Sequence, residues 1–167
     1  IIAGFGGQGV LSMGKILAYT GLMADKNVSW FPSYGPEQRG GTANCTVIIS
    51  DEDISSPIID SYDVAIILNQ PSMERFESHV KAGGAIIYDP YGIMTPSNRT
   101  DIDIYSIAAM DEAAKVGNAK AFNMFVLGGL LRILGITDEE VVGAALRKTL
   151  PERHHGLIPM TIEALRT

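Results

Sequence analysis

The chain has 167 residues, 46% of them hydrophobic, enough for one sizeable core but not for two. Thirteen Lys and Arg stand against 19 Asp and Glu, a formal charge of -6 that disfavours nucleic acid as a partner. Cys45 is the only cysteine, which excludes an intrachain disulfide and any zinc or iron-sulfur site built from this chain's own thiols, and fits a reducing, cytoplasmic setting.

Ile1 to Ala3 reads as the end of a strand, Gly4 to Gly9 as a turn, and Val10 to Ala24 as a helix. The sequence opens at Ile1 rather than Met, so residues are expected upstream and the first strand is expected to be cut short. Gly14, Ala18 and Gly21 share one side of the helix, where small residues let its backbone lie close against a sheet. Asn27 to Phe31 is predicted as a second strand, Ser33 to Gly41 as a polar, glycine-rich loop, and Thr42 to Ser50 as a longer strand. Val64 to Leu68 and Ala85 to Tyr88 are short apolar runs of the kind buried on both faces of a mostly parallel sheet. A short amphipathic helix starting at Pro71 and stopped by Gly83-Gly84 separates them, and Ile102 to Ile107 is the last predicted strand.

From Ala108 onward the pattern is helical, with Thr137 and Glu140 spaced as a capping box. Phe122 to Leu134 is apolar nearly all round, as suits either a central core helix or one buried against another subunit; no stretch reaches the roughly 20 apolar residues of a membrane span. The expected fold is a single α/β domain over residues 1–167: a Rossmann-like open, mostly parallel sheet with helices on both faces and a helical C-terminal third.

Gly4-Phe5-Gly6-Gly7-Gln8-Gly9 satisfies G-x-G-x-x-G between strand and helix, where glycines let an anion approach bare amides; Gly4, Gly6, Gly7, Gln8 and Gly9 are candidate site residues. A dinucleotide-binding domain also needs a carboxylate at the end of its second strand. Asp25 precedes that strand, and none follows before Glu37, which demotes an NAD(P)- or flavin-binding dehydrogenase to an alternative. The second loop should share the carboxyl edge of the sheet with the first, which adds Ser33, Tyr34, Gly35, Glu37, Arg39, Gly40, Gly41 and Thr42. Glu37 and Arg39 can pair with each other, or Arg39 can offer its donor fork to a carboxylate or phosphate. Asn69 and Gln70 end the next strand at the same edge and either add amide groups to the site or cap the following helix. Cys45 alternates with Ala43, Val47 and Ile49 as a core residue; His79 reads as solvated, and His154-His155 lacks metal-ligand neighbours, so no catalytic set and no metal site is assigned.

The run from Gly4 to Val10, the segment Ser33-Tyr34-Gly35-Pro36-Glu37-Gln38-Arg39-Gly40-Gly41-Thr42-Ala43-Asn44, Ser56-Pro57, Leu68 to Ser72, Gly117-Asn118 and Asn123-Met124 together resemble the gamma subunit, or gamma domain, of 2-oxoacid:ferredoxin oxidoreductases. The resemblance implies a complex that decarboxylates a 2-oxoacid on thiamine diphosphate with Mg, passes electrons through iron-sulfur clusters to ferredoxin, and transfers the acyl group to coenzyme A. It implies that alpha, beta and ferredoxin-like delta subunits hold those cofactors, none being bound by this chain alone, and that this chain forms part of the coenzyme A side of the site. The Ser33 to Asn44 pattern is more similar to the 2-oxoglutarate and branched-chain branches than to the pyruvate branch, with 2-oxoglutarate favoured, and indolepyruvate oxidoreductases carry a similar subunit. On its own, such a subunit is expected to expose apolar surface and to be able to form a homodimer.

Overall fold

The computed structural model describes residues 1–35 and 41–166. Six strands form one sheet in the order β2-β3-β1-β4-β5-β6, with β1 Ile2–Phe5, β2 Asn27–Tyr34, β3 Thr42–Ser50, β4 Tyr62–Ile67, β5 Val80–Tyr88 and β6 Asp103–Ser106. The β1/β4, β4/β5 and β5/β6 pairs are parallel, whereas β3 runs antiparallel to both β1 and β2. Being reversed twice, β2 points the same way as β1, and its end lies at the carboxyl edge of the parallel strands. The sequence pattern places the end of this strand at Phe31, before the polar, glycine-rich stretch, and Pro32 follows directly. An edge strand tolerates a proline whose missing N–H faces away from the ladder, so β2 runs on to Tyr34, opposite Ala43.

Helices cover the two faces unequally. On one face Ile2, Cys45, Ile66 and Ile87 meet α1 (Val10–Met23), α3 (Ala109–Lys115), α4 (Phe122–Ile133), α5 (Glu139–Thr149) and α6 (Ile158–Arg166) in a single apolar core. On the other face Ala3, Ala65, Ile67 and Ile86 meet Met73 and Phe76 of one short helix, α2 (Gln70–Phe76). Small residues set the close approaches: a Cβ on Gly14 would run into Cys45 Sγ, and one on Gly128 into Ala164 of α6. The apolar α4 is a central core helix, with Met124, Val126, Leu127, Leu130 and Leu131 all buried.

Other boundaries differ from expectation as well. Helix α2 stops at Phe76 because buried Val80 already pairs with Tyr62 in β5, so Gly83-Gly84 lies inside a strand rather than at a helix end. The cap of α5 is Asp138, whose Oδ1 accepts from the Glu140 and Val141 amides (3.0 and 3.2 Å), and not Thr137. Among the described residues no helix is long and apolar enough to cross a membrane.

Candidate functional site

The carboxyl edge is built from the chain ends of β1, β2 and β4 and the start of β3. Gly4 is buried within β1, while Gly7 (φ 98°) and Gly9 (φ 78°) take left-handed backbone that glycine adopts without strain. Gln8 folds back as a brace: its Oε1 accepts from the Phe5 amide (2.6 Å) and its Nε2 donates to Leu68 O (3.2 Å), tying the turn to β4. The Gly6 amide donates to Gly41 O at 2.8 Å, so this amide holds the start of β3 and is not bare. Helix α1 then begins with no side-chain cap and no acidic residue in its first turn, leaving the positive end of its dipole uncompensated.

Ser33 and Tyr34 belong to β2 rather than to a loop, Gly35 follows, and the Gly35 amide donates to Thr42 O at 3.4 Å. Between the glycine turn, α1, Tyr34, Gly35 and Gly41-Thr42 lies a cavity of about 780 Å³. The two predicted segments therefore do meet in their described parts. Glu37, Arg39 and Gly40 lie outside the described residues.

Asn69 is buried at the end of β4, where its Oδ1 accepts from the Ser72 amide (2.9 Å) and caps α2, leaving Nδ2 without a partner among the described residues. Gln70 Oε1 accepts from the Met94 and Thr95 amides (3.0 and 2.9 Å), so this side chain fixes the loop after β5. That loop exposes Tyr91 (80%) and Met94 (89%) at the end of β5, while Tyr34 (70%) and Phe5 (38%) give the cavity an exposed apolar rim. Asp89, buried at the end of β5, accepts from the Tyr91 amide (2.8 Å) and the Met110 amide (2.9 Å), and so holds this loop and the start of α3 together.

A second cleft, of about 400 Å³, opens on the α4 side of the same turn, between Ser12 and Lys15 of α1, Asn123 at the start of α4, and His154. The sequence reading gave these residues no joint role. The signal that could have found them is the pairing of G-x-G-x-x-G with an amide residue at a distant helix start, since a side chain on Gly9 would clash with Asn123.

Cys45 is fully buried, its thiol donates to Val10 O (3.5 Å), and burial pushes it up to about 11, so it is no nucleophile at neutral pH. No group of three or more His, Cys, Asp or Glu among the described residues is placed to hold a metal ion. An iron-sulfur cluster takes about four thiolates, which the single cysteine cannot supply.

The family model described as pyruvate ferredoxin/flavodoxin oxidoreductase matches residues 1–167. The chain is 42% identical over 166 residues to ketoisovalerate oxidoreductase subunit VorA of Methanothermobacter thermautotrophicus, with 98% of this chain and 34% of VorA aligned; it spans about a third of that relative's length. It superposes on the gamma subunit of a keto/oxoacid ferredoxin oxidoreductase from Geobacter sulfurreducens with a TM-score of 0.80 at 26% identity, covering 99% of this chain and 94% of that one. On 2-oxoglutarate:ferredoxin oxidoreductase from Magnetococcus marinus, solved with 2-oxoglutarate, coenzyme A and succinyl-CoA bound, the TM-score is 0.86 at 26% identity, covering 99% of this chain and 29% of that chain.

Proposed function

Since the chain belongs to the pyruvate ferredoxin/flavodoxin oxidoreductase family, we propose that it is the gamma subunit, or gamma domain, of a 2-oxoacid:ferredoxin oxidoreductase. In this reading thiamine diphosphate, Mg and the iron-sulfur clusters are held by partner alpha, beta and ferredoxin-like subunits, and the chain's own part is to shape and close one side of the acyl-transfer site. Coenzyme A, when bound, supplies the thiol that accepts the acyl group. The acids to assay first are 2-oxoglutarate and branched-chain 2-oxoacids, the latter supported by the 42% identity to a ketoisovalerate enzyme.

The observation that carries the reading is the carboxyl edge. An uncapped helix start, a glycine turn and the ends of the β2-β3 hairpin surround one open cavity, and the exposed apolar rim beside it suits a partner surface better than water. Arg39, which lies between Gly35 and Gly41 in the chain and outside the described residues, is assigned to this edge as a donor fork for a partner carboxylate or a coenzyme A phosphate.

The test is Arg39→Ala in the complex co-purified with its thiamine-binding partner. The expected outcome is an apparent coenzyme A constant raised, or subunit association weakened, by about tenfold. If both are unchanged, the placement of Arg39 is wrong. Failure of the chain to co-purify with any thiamine-containing protein would reject the subunit reading itself.

A further inference from the structure

The sheet has two margins, and they are finished differently. At the β2 margin Pro32 removes a donor, one of the ways proteins keep an edge from pairing with another chain. At the other margin β6 (Asp103-Ile104-Tyr105-Ser106) has neither proline nor lysine, and it pairs with β5 without a bulge. The Ile107 amide donates to Tyr88 O at 2.9 Å, so Ile107 turns its backbone toward β5. By the alternation of a strand Tyr105 and Asp103 do the same, and the N–H and C=O groups of Ile104 and Ser106 point outward, where no described strand meets them. Beside this margin lies a cavity of about 870 Å³. The Ile107 side chain packs on Gly129 of α4, and Ile104 packs into the core on the other face. Exposed Tyr105 therefore lies on the α4 side, over the cavity, whose apolar walls are Phe125, Gly129, Ile133 and Ala164. The charged groups at those walls are already engaged: Glu112 with Lys115 (2.6 Å), Glu163 with Arg166 (3.7 Å), and Arg132 with the Leu165 and Arg166 carbonyls (2.9 and 3.1 Å).

We infer that the β6 margin pairs with a second copy of this chain, β6 to β6 and antiparallel, about a twofold axis at Tyr105. The two outward-facing residues flank Tyr105 symmetrically. In this register Ile104 of one copy faces Ser106 of the other, and their backbone groups satisfy one another across the axis. Each Tyr105 then lies directly opposite its counterpart on the cavity side, and the two rings fill a groove that both copies line. Each copy carries a formal charge of -6, but Asp103, the only charged residue on β6, lies about 14 Å from its counterpart in this register, beyond the Debye length of roughly 8 Å at physiological salt. The wall charges, already paired, neither repel a second copy nor select a partner of opposite sign. The inference does not rest on the subunit reading, because β6 is the margin opposite β2 and the dimer uses a different surface from the carboxyl-edge site.

The test is sedimentation equilibrium of the purified full chain and of Ser106→Pro and Tyr105→Lys, with circular dichroism as the check on folding. Ser106→Pro deletes an outward N–H and leaves the hydrogen bonds between β5 and β6 in place, and Tyr105→Lys sets two ammonium groups face to face. The expected result is a monomer-dimer equilibrium in the parent, with a dissociation constant raised about tenfold or more in each folded variant. If one variant fails to fold, the other decides. A second measurement reads the register: under mild oxidation Tyr105→Cys is expected to cross-link to its own copy and Asp103→Cys is not, because only residues on the axis come within disulfide reach, and buried Cys45 takes no part. Three results would each overturn the inference: parent chain that stays monomeric up to about 1 mM, a dimer that a folded variant leaves intact, or Tyr105→Cys that cross-links no faster than Asp103→Cys. None of them bears on co-purification with a thiamine-containing protein, so the subunit reading stands or falls separately.

Discussion

The Cys45 sulfur sits against Gly14, where any larger residue on α1 would displace it, and its thiol is held neutral by burial. Its pKa rises from 9.0 to about 11 on folding. The folded chain therefore keeps the proton at pH values where the unfolded chain releases it. The stability linked to this group is complete below pH 9 and is lost as pH climbs from 9 to 11, a total on the order of 2–3 kcal/mol. Urea unfolding at pH 8 and pH 10 should show a loss of about 1 kcal/mol in the parent that is absent in Cys45→Ala. In the native chain a thiol reagent should label Cys45 only on unfolding. The burial of this residue was legible in the alternation Ala43, Cys45, Val47, Ile49. The buried Asn123 Oδ1, without a partner among the described residues, was not, because its environment exists only once α4 is laid against Gly9, a contact between residues far apart in the chain.

At the scale of elements, sequence reading succeeds where one local rule acts and fails where two compete. Thr42–Ser50 was read with its observed bounds because alternation and a preceding glycine pair agree there. At α5, Thr137 with Glu140 and Asp138 alone both satisfy capping chemistry, and the chain uses Asp138. Asp138→Ala should accordingly cost about 1 kcal/mol in thermal or urea unfolding, and Thr137→Ala much less. Asn69 and Gln70 were read as site residues or caps from the same composition. Their side-chain oxygens brace α2 and the Met94 loop, which sets the shape of the edge, while Asn69 Nδ2 keeps no partner among the described residues.

For the whole molecule, one apolar core joins the sheet to α1, α3, α4, α5 and α6, so the helical third is expected to unfold together with the sheet. Trp30 fluorescence, reporting the outer strand β2, and far-UV circular dichroism, reporting mainly helices, should give coincident urea midpoints; two separated transitions would contradict this core. The α/β class was legible because the short apolar runs Val64 to Leu68 and Ala85 to Tyr88, of strand length, alternate with helical stretches. The reversal of β3 was not, since strand direction leaves no mark on a pattern of period two. That reversal has an evolutionary consequence. The alignment of β2 on β3 runs from Asn27 opposite Ser50 to Tyr34 opposite Ala43, so the outermost strand finishes beside the glycine turn. Substitutions on that outermost strand can therefore retune what docks at the rim, while the parallel strands beneath keep their shape.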